Sequence, residues 1–150
     1  MTSRIRIRGV AALLLLVLTA AACASGARSA TQSTSGLAPS MVIERFLRAV
    51  NSNDLDTMAS LFGDQAGPWS STVSKKDADD RLYTIATILR HTDYKLQAEQ
   101  IVPGRRDEAI RLPVELVIKD KRHVLPITLV RYGNGWLIEN IPLEVVTGAR

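Results

Sequence analysis

"VIERFLRAVNSNDLDTMASLF", residues 42–62, carries two short amphipathic patterns separated by a break. In the first, Val42, Ile43, Phe46, Leu47 and Val50 fall on one helical stripe, and Ser40 is placed to cap a helix running to about Val50. "NSND" ends that helix and starts another. Asn53 or Asp54 can cap it, Leu55, Met58, Ala59 and Phe62 form its stripe, and Gly63 follows as a C-terminal stop. Both stripes need burial, so the spacing predicts a helical hairpin packed on something apolar.

Downstream, "GDQAGPWSSTVS" (residues 63–74) has the Gly, Pro and Ser content of a loop. Ser74, with Asp77 three residues on, opens a third helix expected to reach about His91, with Ala78, Leu82, Ile85, Leu89 and Ile88 inward. Asp77, Asp79 and Asp80 suit the positive end of its dipole. Their spacing lacks the glycine and terminal glutamate of a calcium loop. From Tyr94 the period becomes two. "YKLQAEQIV" reads as a first strand and "PGRRD" as a turn. "EAIRLPVELVIKD" follows, with Ile110, Leu112, Val114, Leu116 and Ile118 on one face. "KR" is read as the next turn, leading into "HVLPITLVRY". That strand is apolar on both faces and is therefore expected to be central and covered on both sides. "GNG" is a tight turn before the last strand, "WLIENI".

Three helices followed by a four-strand antiparallel meander ending in "GWLIENI" resemble the nuclear-transport-factor-2-like cone fold. The resemblance covers about 110 residues and implies an α+β domain, with three N-terminal helices on a curved four-stranded antiparallel sheet that can enclose a cavity. It implies Asp54 at the turn of the opening hairpin, where the residue is read as a cap. Trp136 is read as anchoring the sheet against helix one; if its ring is buried, Trp136→Ala should cost about 3–5 kcal/mol. Members of this fold include enzymes, ligand binders and scaffolds, so fold does not choose among them. Candidate pocket residues facing the expected concavity are Trp69 and Tyr83 at its mouth, with Arg111, Glu115 and Thr128 as polar groups among Leu112, Val114, Leu116 and Val130.

Catalysis has two templates among cone-fold enzymes. Isomerases need an aspartate base opposite a tyrosine and a protonated acid. Tyr83, Tyr94, Tyr132, Asp93 and Glu115 are present, but their local context does not reproduce that pattern. Dehydratases use histidine with aspartate and tyrosine, which makes His91, Asp93 and His123 the acid–base candidates for a small lyase or isomerase. The alternative is that His91 ends a helix facing water and His123 flanks a basic turn. Two histidines about thirty residues apart without an acidic pair do not make a metal site. No nucleophile elbow, phosphate loop or dinucleotide fingerprint occurs, so no cofactor is expected.

The N-terminal part speaks to location. Arg4, Arg6 and Arg8, an apolar stretch of about 13 residues and small residues at 20–22 have the anatomy of a secretory signal over residues 1–22, too short for a stable span. "TAAAC" resembles the lipobox of bacterial lipoproteins, with Ala20 where leucine is usual. That resemblance implies that Cys23, the single cysteine, becomes an acylated N-terminus and a membrane anchor. It also implies the extracytoplasmic side of the cell membrane or, in a host with two membranes, sorting to the outer one, because Ala24 replaces the retention aspartate. Residues 23–38, rich in Ser, Thr, Ala and Gly, read as a flexible tether, and residues 39–150 as the single domain.

The net charge of +4 shrinks in the mature chain. Three of the 19 Lys and Arg residues lie in the leader, leaving 16 against 15 acids. No basic run interleaves with aromatics, so no nucleic-acid partner is expected. The expected function is a non-catalytic domain binding an apolar small molecule or another envelope protein. A homodimerising scaffold is kept as the structural alternative.

Overall fold

A computed structural model describes residues 36–149 of the 150-residue chain. The leader, Cys23 and most of the expected tether lie outside the described residues.

Helix α1 spans Pro39–Ser52. Its start differs from expectation: Pro39 occupies the first turn, where its missing N–H costs nothing, and Ser40 sits inside the helix rather than capping it. Asn53 closes α1 in the left-handed region at φ 55°. Asp54 then caps α2 (Leu55–Leu61), taking the Thr57 amide on Oδ1 at 3.0 Å and the Thr57 hydroxyl on Oδ2 at 2.7 Å. Two adjacent residues thus divide the stop and the start between them.

The segment read as a loop is more ordered than its composition suggests. It forms a hairpin of β1 (Gly63–Asp64) and β2 (Gly67–Pro68), followed by a one-turn helix α3 (Trp69–Thr72). Gly63 is no left-handed helix stop. A Cβ there would collide with the Gly67 carbonyl oxygen, so glycine is needed for close backbone approach. Helix α4 (Lys75–Leu89) starts as expected at Ser74, whose hydroxyl accepts from the Asp77 amide at 3.2 Å. Ala78, Leu82, Ile85, Ala86 and Leu89 are its buried face.

The strands are β3 (Asp93–Leu96), β4 (Gln100–Ile101), β5 (Ala109–Ile118), β6 (Lys121–Tyr132) and β7 (Gly135–Asn140), and the antiparallel order is β3-β5-β6-β7 with β4 also on β5. The expected first strand is therefore broken in two. Pro113 is the cause: it stands opposite Pro126, and two residues without N–H groups can face each other only at a pair that exchanges no hydrogen bonds. Pro113 then has no donor to offer the outer strand, and its carbonyl alone is used, by the Gln97 amide at 2.9 Å. On the far side of β6 the ladder with β7 reaches only Thr128, paired with Asn140. The β5–β6 turn is Lys119–Asp120, not Lys121–Arg122: both central residues have positive φ, 49° and 63°, the geometry of a two-residue hairpin.

Leu112, Val114, Leu116 and Ile118 of β5 and Leu125, Ile127 and Leu129 of β6 face the helices and join Phe46, Met58 and Leu82 in one core. Strand β6 is internal, as expected, but its second face is only partly covered. Val130 is buried there, whereas Val124 is 44% exposed. A short helix α5 (Glu144–Thr147) that the sequence did not announce closes the chain.

Candidate functional site

The space between helices and sheet, where a cone-fold cavity is expected, is filled. Phe46, Leu47, Met58, Leu82, Leu116 and Ile127 are all fully buried in it. His91 is the buried polar residue beside this core, 8% exposed rather than facing water. Its Nδ1 lies 2.9 Å from the Leu89 carbonyl, which can only accept, so Nδ1 carries the proton. Nε2 is left as the acceptor facing the Asn51 amide nitrogen at 3.4 Å. Both ring nitrogens are thus engaged in structural bonds.

Asp93 and His123 do not join it. In the register Asp93–Val117–Arg122, Asp93 lies on the sheet face turned away from the helices, and its Oδ1 accepts from the Tyr94 amide at 2.9 Å. His123 shares the helix-side row Tyr94–Leu116–His123, with Leu116 between it and Tyr94. The Tyr94 ring meets His91 edge-on at 5.7 Å. No closed pocket gathers the three.

The expected pocket set is likewise divided by the sheet. Trp69 is half-buried beside Phe62, ring centroids 4.5 Å apart, with the Arg81 guanidinium 5.6 Å from its ring centre. Tyr83 projects from α4 and is 58% exposed. Arg111, Glu115 and Thr128 lie on the opposite sheet face, where Arg111 pairs with Thr128 and Glu115 meets Arg122 at 3.5 Å. Leu112, Val114 and Leu116 face the core, while Val130 faces away with Leu137 and Ala109.

What the fold builds instead is a cleft of about 440 Å³ between the last turns of α4, the β5–β6 hairpin and α5. This volume falls within the usual span of small-molecule sites, roughly 300–1,000 Å³. Ile88, Ile118 and Val146 supply its apolar surface; Lys119, Lys121 and His123 supply its rim. The His123 Nδ1 donates to the Val145 carbonyl at 3.2 Å, fixing the ring against α5. Among the described residues, neither Lys119 nor Lys121 forms an ion pair. Among the same residues there is no cluster of three or more His, Cys, Asp or Glu side chains able to hold a metal, and no helix long and apolar enough to cross a membrane.

No family model and no curated protein matches the sequence. Among solved structures, a Campylobacter jejuni protein provisionally described as an NTF2-like transpeptidase superposes with a TM-score of 0.51 at 12% identity, covering 69% of this chain and 99% of its own. The fold is NTF2-like. A designed NTF2 chain also matches, at 16% identity and a TM-score of 0.43, over 68% of this chain and 92% of its own. At 12% identity the likeness to the Campylobacter jejuni protein describes the fold alone.

Within this NTF2-like domain, the end cleft was missed by the sequence reading because its floor depends on α5, four residues with no amphipathic period. The available signal was the run Lys119, Lys121, Arg122, His123, which reads as a solvated turn until Ile118 and Val146 are placed beside it.

Proposed function

We propose that this chain is a membrane-anchored extracytoplasmic lipoprotein whose NTF2-like domain is a non-catalytic binding module of the cell envelope. The anchor rests on the leader over residues 1–22 and on Cys23 in "TAAAC". The tether over residues 23–38 gives the domain a coil reach of about 5–6 Å times the square root of its length. The binding half is carried by one observation: an apolar cleft rimmed by two lysines that form no ion pair among the described residues. It is supported by His91, whose ring nitrogens are occupied by Leu89 and Asn51 rather than turned to a substrate.

The test is mass spectrometry of the full chain purified from its native membranes. An N-terminal Cys23 carrying acyl chains, lost in Cys23→Ser together with membrane association, is the expected result; a chain cleaved without acylation overturns the anchor. A native spectrum of the same preparation addresses the module. A retained small molecule supports ligand binding, and an empty dimer moves the reading to a scaffold.

A further inference from the structure

We infer that the end cleft binds the anionic headgroup of a free single-chain amphiphile, with the first part of its alkyl chain on the apolar floor. This deepens the binding-module reading and rests on it.

The donor chemistry of the cleft selects the charge. Its two threonines have already spent their protons: the Thr87 hydroxyl donates to the Tyr83 carbonyl at 2.8 Å and the Thr147 hydroxyl to the Leu143 carbonyl at 3.2 Å. They offer methyl groups and lone pairs. The donors left for a ligand are the ammonium groups of Lys119 and Lys121, since the His123 Nδ1 proton is already held by the Val145 carbonyl. Such a set serves a carboxylate or phosphate oxygen and does little for a neutral sugar or alcohol. The hairpin's own acid, Asp120, sits in the turn and is not part of the lining. Beneath the cations, Ile88, Ile118 and Val146 offer a surface that an inorganic anion would leave uncovered.

The place and size of the cleft favour a single-chain source. Asn51, in the last turn of α1, bonds to His91 just past α4, and Thr87 lines both the cleft and an adjoining depression that includes Asn53. The cleft therefore lies at the C-terminal end of α1. The chain enters the domain at Pro39, the other end of a 14-residue helix, about 21 Å away at 1.5 Å per residue. The opening thus lies at the far end of α1 from Pro39, and a cleft of about 440 Å³ takes one headgroup and the start of a single chain rather than a two-chain lipid.

The experiment titrates the full chain carrying Cys23→Ser, which changes no described residue, with dodecanoate by calorimetry, and follows the Ile118 and His123 resonances by NMR. Dodecanol, inorganic phosphate, and phosphatidylcholine vesicles containing phosphatidylglycerol are run in parallel. Saturable binding of dodecanoate at one site with shifts at Ile118 and His123 is expected. It should weaken by about tenfold in Lys119→Asn/Lys121→Gln, whose side chains are exposed and whose loss leaves the fold intact. It should be abolished in Val146→Glu, with thermal unfolding recorded to show that this variant is folded. Dodecanol binding as tightly as dodecanoate, phosphate binding as tightly without a chain, or an affinity unmoved by the lysine pair would each overturn the inference. Vesicle binding lost with the lysines, in the absence of dodecanoate binding, would overturn it in favour of membrane-surface contact. An empty cleft in a chain acylated at Cys23 removes this inference and leaves the anchor standing; missing acylation does the reverse.

Discussion

Asn51 grips the backbone of His91 from both sides: its Nδ2 donates to the His91 carbonyl at 3.0 Å and its Oδ1 accepts from the His91 amide at 3.2 Å. A side-chain amide here imitates a strand partner at the junction between α4 and β3, where neither helix nor sheet satisfies the chain. Asn51→Ala leaves these buried groups without partners and is expected to cost about 1–3 kcal/mol, read as a lower urea midpoint. An unchanged midpoint would mean that water replaces the amide.

Asp54 gives a pH-dependent counterpart. Hydrogen bonds from the Thr57 hydroxyl and amide hold its carboxyl below the ordinary carboxylate range. The unfolded chain therefore takes up the proton first as pH falls. The stabilisation is complete above the unfolded value of about 3.9 and fades as pH drops through the lower folded value. Asp54→Ala should cost about 1 kcal/mol at pH 7, and this difference from the parent should vanish in strong acid. A difference that persists unchanged below pH 3 would assign the effect to packing.

For Gly63, the expected outcome is steric. Gly63→Ala drives a Cβ into the Gly67 carbonyl oxygen and close to Pro68 Cα, both backbone atoms that cannot swing aside. A loss of about 1–3 kcal/mol is expected, with displacement of the neighbouring Trp69 visible in its fluorescence. Wild-type stability with unshifted emission would place the hairpin elsewhere.

Trp136 is half-buried against the core, and the Arg131 guanidinium lies 4.7 Å from its ring centre. Trp136→Ala should then cost about 2 kcal/mol, below the figure for a fully enclosed ring. Arg131→Ala should retain most of that stability. A loss as large as 4 kcal/mol on removing the ring would show it to be a full core member.

The helices were legible because each stripe is locally complete. Phe46, Met58 and Leu82 announce burial without reference to anything distant, and Ser74 and Asp54 cap where their spacing says they should. Strand pairing was legible in order but not in detail. Whether Lys119–Asp120 or Lys121–Arg122 makes the turn depends on cross-strand register, which both proline positions fix and neither advertises in a period-two pattern. The candidate site was the least legible. Arg111 and Glu115 alternate correctly with the core residues of β5, yet alternation alone does not say which face the helices cover. His91 was misplaced for a related reason: its partner Asn51 lies 40 residues earlier and belongs to no motif.

The facing prolines have a bearing on how many copies can share a surface. Where copies of a domain meet at high concentration, an open strand edge becomes a template for its neighbours. Beyond Thr128, β6 has no β7 partner, and there Pro126 withholds an N–H while Lys121 and Arg122 place charge along the same margin. On the other edge, Pro113 interrupts the outer strand between Leu96 and Gln100. Neither of these margins offers an uninterrupted ladder, and the Phe62–Ile138 bridge interrupts the outer side of β7, so the pair that thins the sheet's own bonding also helps to guard neighbouring copies against polymerising edge to edge.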